Sequence, residues 1–406
     1  MVPLSKAPLD YHMVELRTRL RRAFNWPLAV YLLAAVLVTV QKGVITGDAG
    51  IYLMFRHTFY RLISGADIYN PPSGETGFLY SPAFALLFAP FAIWPFPLGL
   101  LLWNGVNAMA VYEGLTRLLS PRAARLALAI VFLDVVRSLQ NSQSNALVAG
   151  LILIAFVALE RGRAVKAATA VVTGAFIKIF PVAAGAFAIF VPAGQRVRFL
   201  LWCVGIGLAL AALPLLVLPP AAVAAVYKAW YGILQRDTVL QGQSVMRILS
   251  DWFGSAAPNW TIQLAGTLLL LLPVALRRDQ WADGRFRQLF LCSLLVFLVI
   301  FNHQAESPSF VIATCGIAIW YVSSPSPREW WRTALLAFSV LTVAVSRLFF
   351  FPYPLYHDVM SHALDAFSCL LVWLVMQVEL WTWPSSQLAE VTQRDVPAGE
   401  TGQHHG

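Results

Sequence analysis

Asp48 is the first residue in the sequence whose type and position suggest chemistry. It stands in the stretch GDAGIYLMF, directly after an apolar run. A carboxylate at the mouth of a transmembrane helix is either a solvated boundary residue or a general base that removes a proton from a substrate. Residues 51 to 63 follow, with apolar side chains at helical spacing and Arg56 and His57 between them. This pattern predicts an amphipathic helix in the membrane interface, which would keep Asp48 beside cations able to meet a lipid phosphate.

A turn-rich segment over residues 64 to 84 follows this helix. Its glycines and prolines are typical of turns, and Tyr69 and Tyr80 are the side chains expected to anchor it. The segment is either ordinary chain reversal or a loop folded over a membrane-embedded cavity. The second interpretation suits a lipid-linked substrate, with Tyr80 among its contacts.

Amide side chains are concentrated between residues 137 and 146, in the stretch RSLQNSQSNA. Ser144 or Asn145 could simply cap the next helix, but the stretch holds more donors and acceptors than one cap uses. Sugar hydroxyls are neutral and both donate and accept hydrogen bonds, so amides suit them. We therefore predict substrate contacts from Gln140, Asn141, Gln143 and Asn145.

Lys178 interrupts the apolar stretch AVVTGAFIKIFPVAAGAFAIF, where an uncompensated charge is costly. Either its side chain extends to the interface, or its ammonium faces a phosphate at the opening of a pocket. Arg247 and Arg56 are candidates for the same role. The stretch NHQAES adds His303 and Glu306 as predicted substrate contacts, and Glu306 is a second acid that could act as the base.

Composition identifies the class of protein that positions these residues. The chain has 406 residues, of which 59% are hydrophobic and 12% charged, whereas soluble domains have about 25% charged residues. Several apolar runs reach the roughly 20 residues of a transmembrane helix. The net charge of +9 comes from short basic clusters between apolar runs, the pattern of the positive-inside rule, which argues against nucleic-acid binding. The four cysteines lie in apolar runs without metal-ligand spacing, which argues against metal or disulfide roles.

Hydropathy predicts an all-α polytopic membrane protein with about 12 transmembrane helices, in a range of 10 to 13. One transmembrane domain covers 26–381, after a cytoplasmic N-terminal segment (1–25) and before a polar, disordered cytoplasmic tail (382–406). The first run is an uncleaved signal anchor. The predicted crossings are 26–45, 98–119, 121–137, 145–160, 164–178, 179–193, 198–218, 261–276, 286–301, 308–323, 331–349 and 360–381.

The basic clusters orient these helices. Residues 81–95 are short and bracketed by prolines, so we predict a juxtamembrane helix on the outer surface. The clusters TRLLSPRAAR, ERGRAVK, QRVR, RRDQWADGRFR and SPREWWR then all fall in the cytoplasm with both termini. If 81–95 crossed instead, most of them would lie outside. The outer loops are 46–97 and 219–260, and nearly every candidate residue lies on their side, which predicts an enzyme with an extracytoplasmic active site.

The sequence resembles glycosyltransferase family 87, polytopic membrane enzymes of the GT-C class that use polyprenyl-phosphate sugars. The resemblance covers residues 48 to 321 and is carried, in order, by GDAGIYLMF, SGADIYNPP with FLYSPAFALLFAPFAIWP, LWNGVNA, RSLQNSQSNALVAGLILIAFVALERGR, AFIKIFPVA and FNHQAESPSFVIATCGIAIWY. Two features depart from the pattern. Ser142 precedes Gln143 where the family often has glycine, and Asp48 is a single acid where other GT-C enzymes have paired carboxylates.

The resemblance implies a mannosyltransferase-like enzyme of the bacterial cell envelope. It would move a hexose, usually mannose, from a polyprenyl-phosphate donor to a glycolipid or glycan acceptor at the outer face of the inner membrane. Asp48 would be the base, and Lys178, with Arg56 or Arg247, would hold the phosphate. A single displacement would invert the anomeric centre. Neither a cofactor nor a metal is expected, and the partners are membrane lipids, donor and acceptor.

Two other classes stay open. A transporter or flippase of a lipid-linked or small polar substrate would place binding residues near the bilayer midplane, on broken helices of internal repeats, whereas the candidates here collect at one face. A polysaccharide polymerase or ligase would also work at the outer face. It differs in its donor, which is an oligosaccharide linked through a diphosphate.

Overall fold

A computed structural model describes residues 25–71, 76–236, 240–325, 327–347 and 352–383, and every regular element in these ranges is helical. The predicted segment 1–25, except Asn25, and the tail from residue 384 lie outside the described residues. The first nine helices are α1 (Trp26–Thr39), α2 (Gly50–Ile63), α3 (Pro82–Leu87), α4 (Ala89–Ala92), α5 (Phe96–Leu118), α6 (Pro121–Gln140), α7 (Asn145–Glu160), α8 (Ala164–Ile177) and α9 (Ala193–Ala212).

The remaining α-helices are α10 (Pro220–Arg236), α11 (Val245–Phe253), α12 (Asn259–Leu276), α13 (Gly284–Ile300), α14 (Phe310–Ser323), α15 (Trp330–Val343), α16 (Tyr353–Ser361) and α17 (Leu364–Thr382). Helix α1 continues as a π-helix over Val40–Ile45. Between α8 and α9 lies a 3₁₀-helix, Phe180–Phe190. Shorter 3₁₀ turns are Leu213–Leu216, Arg278–Gln280, Ser307–Ser309 and Val345–Arg347.

Among the described residues, four helical segments are long and apolar enough to cross a membrane: Trp26–Ile45, Ala193–Leu216, Asn259–Leu276 and Leu364–Thr382. Five further apolar helices have 10–17 residues. At 1.5 Å per residue, an α-helix of that length is shorter than the roughly 30 Å hydrocarbon core. Each predicted crossing overlaps a helical segment, so the all-helical membrane class is confirmed, and the number of 12 crossings stays a prediction.

Contacts between loops divide the helix ends into two groups. We call one end the site face; its loops are 46–50, 140–145, 178–179 and 301–309. Gln140 donates over 3.5 Å to Gln41, the second residue of the π-helix that precedes loop 46–50. Gln143 donates to Glu306, which joins the loops 140–145 and 301–309 directly. We call the other end the basic face; its loops include 119–120, 161–163 and 277–283.

Charged groups tie the basic face together. Arg287 forms a bidentate ion pair with Glu160, with nitrogen–oxygen distances of 2.8 and 2.6 Å. Arg161 donates to the carbonyl of Arg117 over 2.8 Å, and Trp383 donates to Asp283 over 2.8 Å. These bonds join the ends of four helices, α5, α7, α13 and α17, so consecutive helix ends alternate between the two faces, as repeated crossing of a layer requires.

Residues 82–92 form two short helices, α3 and α4. Eleven residues at 1.5 Å each extend about 17 Å, roughly half of the hydrocarbon core, which fits a segment that lies along the membrane. Phe84 and Phe88 are buried. Both pack edge-on or tilted against Phe55 of α2 and Trp103 of α5, so this segment is fixed to the protein by an aromatic cluster.

The predicted amphipathic helix over residues 51–63 is confirmed as α2. Its Phe55, Phe59 and Leu62 are buried, whereas His57 on the opposite side is exposed. Much of the apolar side is covered by α3 and α4 of the protein itself. Helix α2 therefore holds the first loop against the bundle.

Candidate active site

Four polar side chains from three separate loops form a continuous hydrogen-bonded chain on the site face. The Lys178 ammonium donates to Asn145 Oδ1 over 2.6 Å. Asn145 Nδ2 donates to Gln143 Oε1 over 2.5 Å, and Gln143 Nε2 donates to Glu306 Oε2 over 2.9 Å. We call this set the Lys178 cluster. It links a cation to a carboxylate through two amides that are almost completely buried.

Local backbone structure presents each member of the cluster. Lys178 follows α8 in an extended conformation (φ −139°, ψ 136°), so the helix ends where the charge begins. Asn145 is the first residue of α7, and the chain enters this helix through Ser142 at φ +52°. Glu306 precedes the turn Ser307–Ser309, and its backbone amide donates to Ser309 Oγ over 3.4 Å.

The end of the first loop contacts the segment that carries Lys178. Ser81 Oγ donates to the carbonyl of Phe176 over 2.5 Å, two residues before Lys178. Tyr69 donates to the carbonyl of Tyr80 over 2.9 Å, so both predicted tyrosine anchors are in contact. Burial, and then the nearby Glu306 carboxylate, raise the pKa of Tyr80 well above its ordinary value. The Tyr80 phenol therefore stays neutral and able to donate a hydrogen bond.

The cluster can bind an anion next to a neutral polar group. An ammonium has three donors, of which Lys178 directs one to Asn145, and it also interacts electrostatically with Glu306. The Lys178 side chain is partly exposed and Glu306 is exposed, so an entering ligand has access to both. No group of histidine, cysteine or acidic residues with the spacing of a metal site occurs among the residues described.

Asp48 lies on the same face but is not part of the cluster. Gly47 adopts φ +65°, a left-handed turn, and the Asp48 amide donates to Thr46 Oγ1 over 3.3 Å. The Asp48 side chain is exposed, and within the described ranges its carboxylate has no hydrogen bond or ion pair. Gln41, in the π-helix that precedes Asp48, accepts a hydrogen bond from Gln140 of the amide stretch over 3.5 Å.

Other predicted contacts lie apart from the cluster. Arg56 Nε donates to the carbonyl of Ala92 over 3.0 Å, where α4 ends, and its guanidinium lies over the Tyr60 ring. His57 is exposed on α2. Arg247 donates to Asp251 over 3.1 Å and to the carbonyl of Ser361 over 3.3 Å.

The remaining candidates are at the borders of the same loops. Gln140 and Asn141 are exposed, and Asn141 donates to the carbonyl of Arg137 over 2.9 Å. His303 Nδ1 lies 3.2 Å from Gln263 Nε2, beside a cavity. The structure thus joins Tyr80, Gln143, Asn145, Lys178 and Glu306, and leaves the other candidates around them.

Two residues that sequence reasoning missed hold the cluster in place. Arg137 donates to Ser307 Oγ over 3.2 Å and to the carbonyls of Val343 and Ala344 at the end of α15, so it fixes the loop that carries Glu306. Trp103 donates to the carbonyl of Ser142 over 2.8 Å. Arg137 is the first residue of the amide stretch, and this position could have indicated a role at the site. An arginine near a helix end is also an ordinary boundary residue, so the sequence alone did not distinguish the two.

Enzymes and transporters can both carry an anion-binding cluster at the ends of membrane helices, so the fold and the cluster define only a broad class of membrane protein. Comparison with models of protein families identifies the family: the model of glycosyltransferase family 87 matches residues 78–300, just over half of the chain. The chain belongs to glycosyltransferase family 87 and is a membrane glycosyltransferase, as predicted. The matched region includes Gln143, Asn145 and Lys178. Among curated proteins, none matches this chain.

Proposed function

We propose that this glycosyltransferase moves a hexose, mannose in the first instance, from a polyprenyl-phosphate donor to a glycolipid or glycan acceptor. It would be a hexosyltransferase of the GT-C type. The observation that carries the proposal is the Lys178 ammonium, held by Asn145 in the cluster that leads to Glu306. This places one accessible cation at the mouth of the helix bundle, where the phosphate of a membrane-anchored lipid would arrive.

The donor phosphate binds at Lys178 in this proposal. Bond cleavage at the anomeric carbon leaves a lipid phosphate, which is a stable anion and needs no proton. A fixed cation stabilises the developing charge, which is often the largest catalytic contribution. The amides of Gln143 and Asn145 orient the sugar hydroxyls, and the neutral phenol of Tyr80 adds a donor. Arg56 and Arg247 are engaged elsewhere, so Lys178 is the principal phosphate ligand.

Asp48 acts as the general base. Its carboxylate is exposed and has no described partner, so it can accept a proton from an acceptor hydroxyl. Glu306 is the alternative, but it already accepts a hydrogen bond from Gln143 and lies near Lys178. Both interactions engage the Glu306 carboxylate within the cluster, whereas the Asp48 carboxylate is open to an acceptor hydroxyl. Glu306 therefore serves as a positioning residue for Gln143.

The reaction is a single displacement. The acceptor oxygen forms a bond to the anomeric carbon as the bond from that carbon to the phosphate oxygen breaks. The hydroxyl proton goes to Asp48, and the bonding electron pair leaves with the phosphate. Attack from the side opposite the leaving group inverts the anomeric centre, so a β-linked donor gives an α-linked product. One carboxylate and one cation suffice, and the step requires no metal or cofactor.

The orientation follows from the charges of the basic face. Arg117, Arg161 and Arg287 lie there, and the positive-inside rule puts such clusters in the cytoplasm. The site face is then extracytoplasmic, and both termini are cytoplasmic. We place the enzyme in a bacterial inner membrane, acting on the cell envelope, with about 12 crossings.

A donor panel tests this proposal. The purified chain in lipid nanodiscs is supplied with radiolabelled polyprenyl-phosphate mannose, polyprenyl-phosphate glucose or a diphosphate-linked oligosaccharide, together with mixed membrane glycolipids. We expect transfer from a monophosphate donor and an inverted product linkage. Transfer only from the diphosphate donor would show a polymerase or ligase. No transfer, with donor movement across reconstituted vesicles, would show a flippase.

A further inference from the structure

A second polar region lies on the site face, beside the Lys178 cluster. It is a cavity of about 400 Å³ whose lining includes Gln241, Asn259, Trp260, Gln263 and His303. Ligand pockets typically measure roughly 300–1,000 Å³. The lining comes from Gln241 in the predicted outer loop 219–260, from the start of α12 and the residues just before it, and from His303 in the loop 301–309.

The chemistry of this lining favours a neutral polyhydroxy ligand. Apart from His303, its polar side chains are amides and an indole, and among the described lining residues there is no carboxylate, ammonium or guanidinium. Gln263 Nε2 donates to the carbonyl of Phe301 over 3.0 Å and lies 3.2 Å from His303 Nδ1. With Nδ1 as acceptor, the neutral imidazole carries its proton on Nε2 and can donate to a ligand.

Trp260 supplies a flat apolar surface at the same cavity. Its side chain is 64% exposed although it stands in the first turn of α12. The C–H face of a hexose is complementary to the electron-rich face of an indole, while its hydroxyls require donors and acceptors of the amide type. Among the described lining residues, a phosphate would find no cationic side chain.

The cavity and the cluster are connected through the loop 301–309. Gln243 N donates to the carbonyl of Ala305 over 2.7 Å. Gly242 lies so close to this loop that an added Cβ would approach the carbonyl of His303 to 2.9 Å, which only glycine avoids. His303 precedes Glu306 by three residues, which span at most about 11 Å. A ligand at His303 is therefore within reach of a donor at the cluster.

We propose that this cavity is the subsite for a neutral sugar of the acceptor, with Trp260 stacking on the ring and Gln241, Gln263 and His303 binding its hydroxyls. This assignment rests on the proposed glycosyl transfer and deepens it. The donor phosphate and the acceptor sugar have opposite requirements, since one needs a cation and the other does not. The structure provides a separate region for each.

Direct binding tests the subsite without requiring transfer. The full chain in nanodiscs is examined by saturation-transfer NMR with methyl α-mannopyranoside, methyl β-glucopyranoside and methyl β-galactopyranoside as probes. We expect at least one glycoside to bind, and Trp260→Ala to weaken that binding roughly tenfold. Trp260→Phe, which keeps an aromatic face, should retain most of it. The matched control is Trp94→Ala, which removes a tryptophan of 45% exposure outside the cavity.

The outcomes separate this inference from the proposed function. Equal binding by wild type and Trp260→Ala, or no binding of any probe, would overturn the subsite and make Trp260 an interfacial anchor. Transfer in the donor panel would still stand in that case. Because Lys178 belongs to the other region, Lys178→Met should leave glycoside binding unchanged, and its loss in that variant would also contradict the assignment.

Discussion

Lys178→Met is the perturbation that separates catalysis from structure at the cluster. Methionine keeps an unbranched stem and removes only the ammonium. Removal of one group that stabilises developing charge typically lowers kcat by about 10²–10³-fold, or roughly 3–4 kcal/mol. We expect kcat/KM for transfer from polyprenyl-phosphate mannose to fall by this factor, because no other described cation belongs to the cluster.

Stability changes by a smaller and separate amount. Asn145 is fully buried, and its Oδ1 accepts the hydrogen bond from Lys178 over 2.6 Å. Without that donor, a buried acceptor is left unsatisfied at a cost of about 1–3 kcal/mol. Thermal unfolding in nanodiscs should therefore show moderate destabilisation of Lys178→Met, with the fold retained at the assay temperature.

The matched control lies on the same helix. Lys166 is exposed near the opposite end of α8, so Lys166→Met should change neither transfer nor stability. Steady-state kinetics with labelled donor, measured alongside thermal unfolding, give both quantities for each variant. If Lys178→Met lost stability and kept its kcat/KM within about threefold of wild type, the lysine would be purely structural and the reasoning would be refuted.

Two further variants test the packing that supports the site. Gly150→Ala would place a Cβ against the Ala110 backbone of the neighbouring helix, so we expect about 1–3 kcal/mol of destabilisation by thermal unfolding. Gly105→Ala has open space around it inside α5 and should not destabilise the protein. Equal destabilisation by the two changes would contradict the packing argument. Ser142 has φ +52° and a buried hydroxyl with no described partner. Ser142→Gly should raise stability by about 1 kcal/mol in the same measurement, and a loss of stability would mean that the left-handed conformation carries no strain.

The residues of the cluster were predictable from the sequence because hydropathy sorts them to one face. Lys178 is conspicuous in an apolar stretch, and the amides at 143 and 145 offer more hydrogen-bond donors and acceptors than one helix cap uses. Their pairing was not predictable, since Gln143 and Glu306 are 163 residues apart and periodicity within one helix does not fix such contacts. The family resemblance was confirmed, and with it the membrane glycosyltransferase class.

Other features depended on tertiary structure alone. Periodicity placed Arg56 on the polar side of α2, but only the fold shows that it binds the Ala92 carbonyl at the end of α4. The left-handed conformation at Ser142 gives a physical reason for the glycine that the family often has there. A ligand-binding role for Trp260 could not be predicted from the sequence, because a tryptophan at a helix end is ordinary in a membrane protein.

Asp48 is the general base in the proposed reaction, and the variant Asp48→Asn tests this role most directly. Asparagine keeps the shape and removes the basic carboxylate, so transfer should fall by about 10²–10⁴-fold while the labelled polyprenyl-phosphate donor still binds. Glu306→Gln is compared in the same assay and should be affected less. If Asp48→Asn transferred sugar at the wild-type rate, Asp48 would not be the base. Loss of transfer in Glu306→Gln alone would assign the base to Glu306.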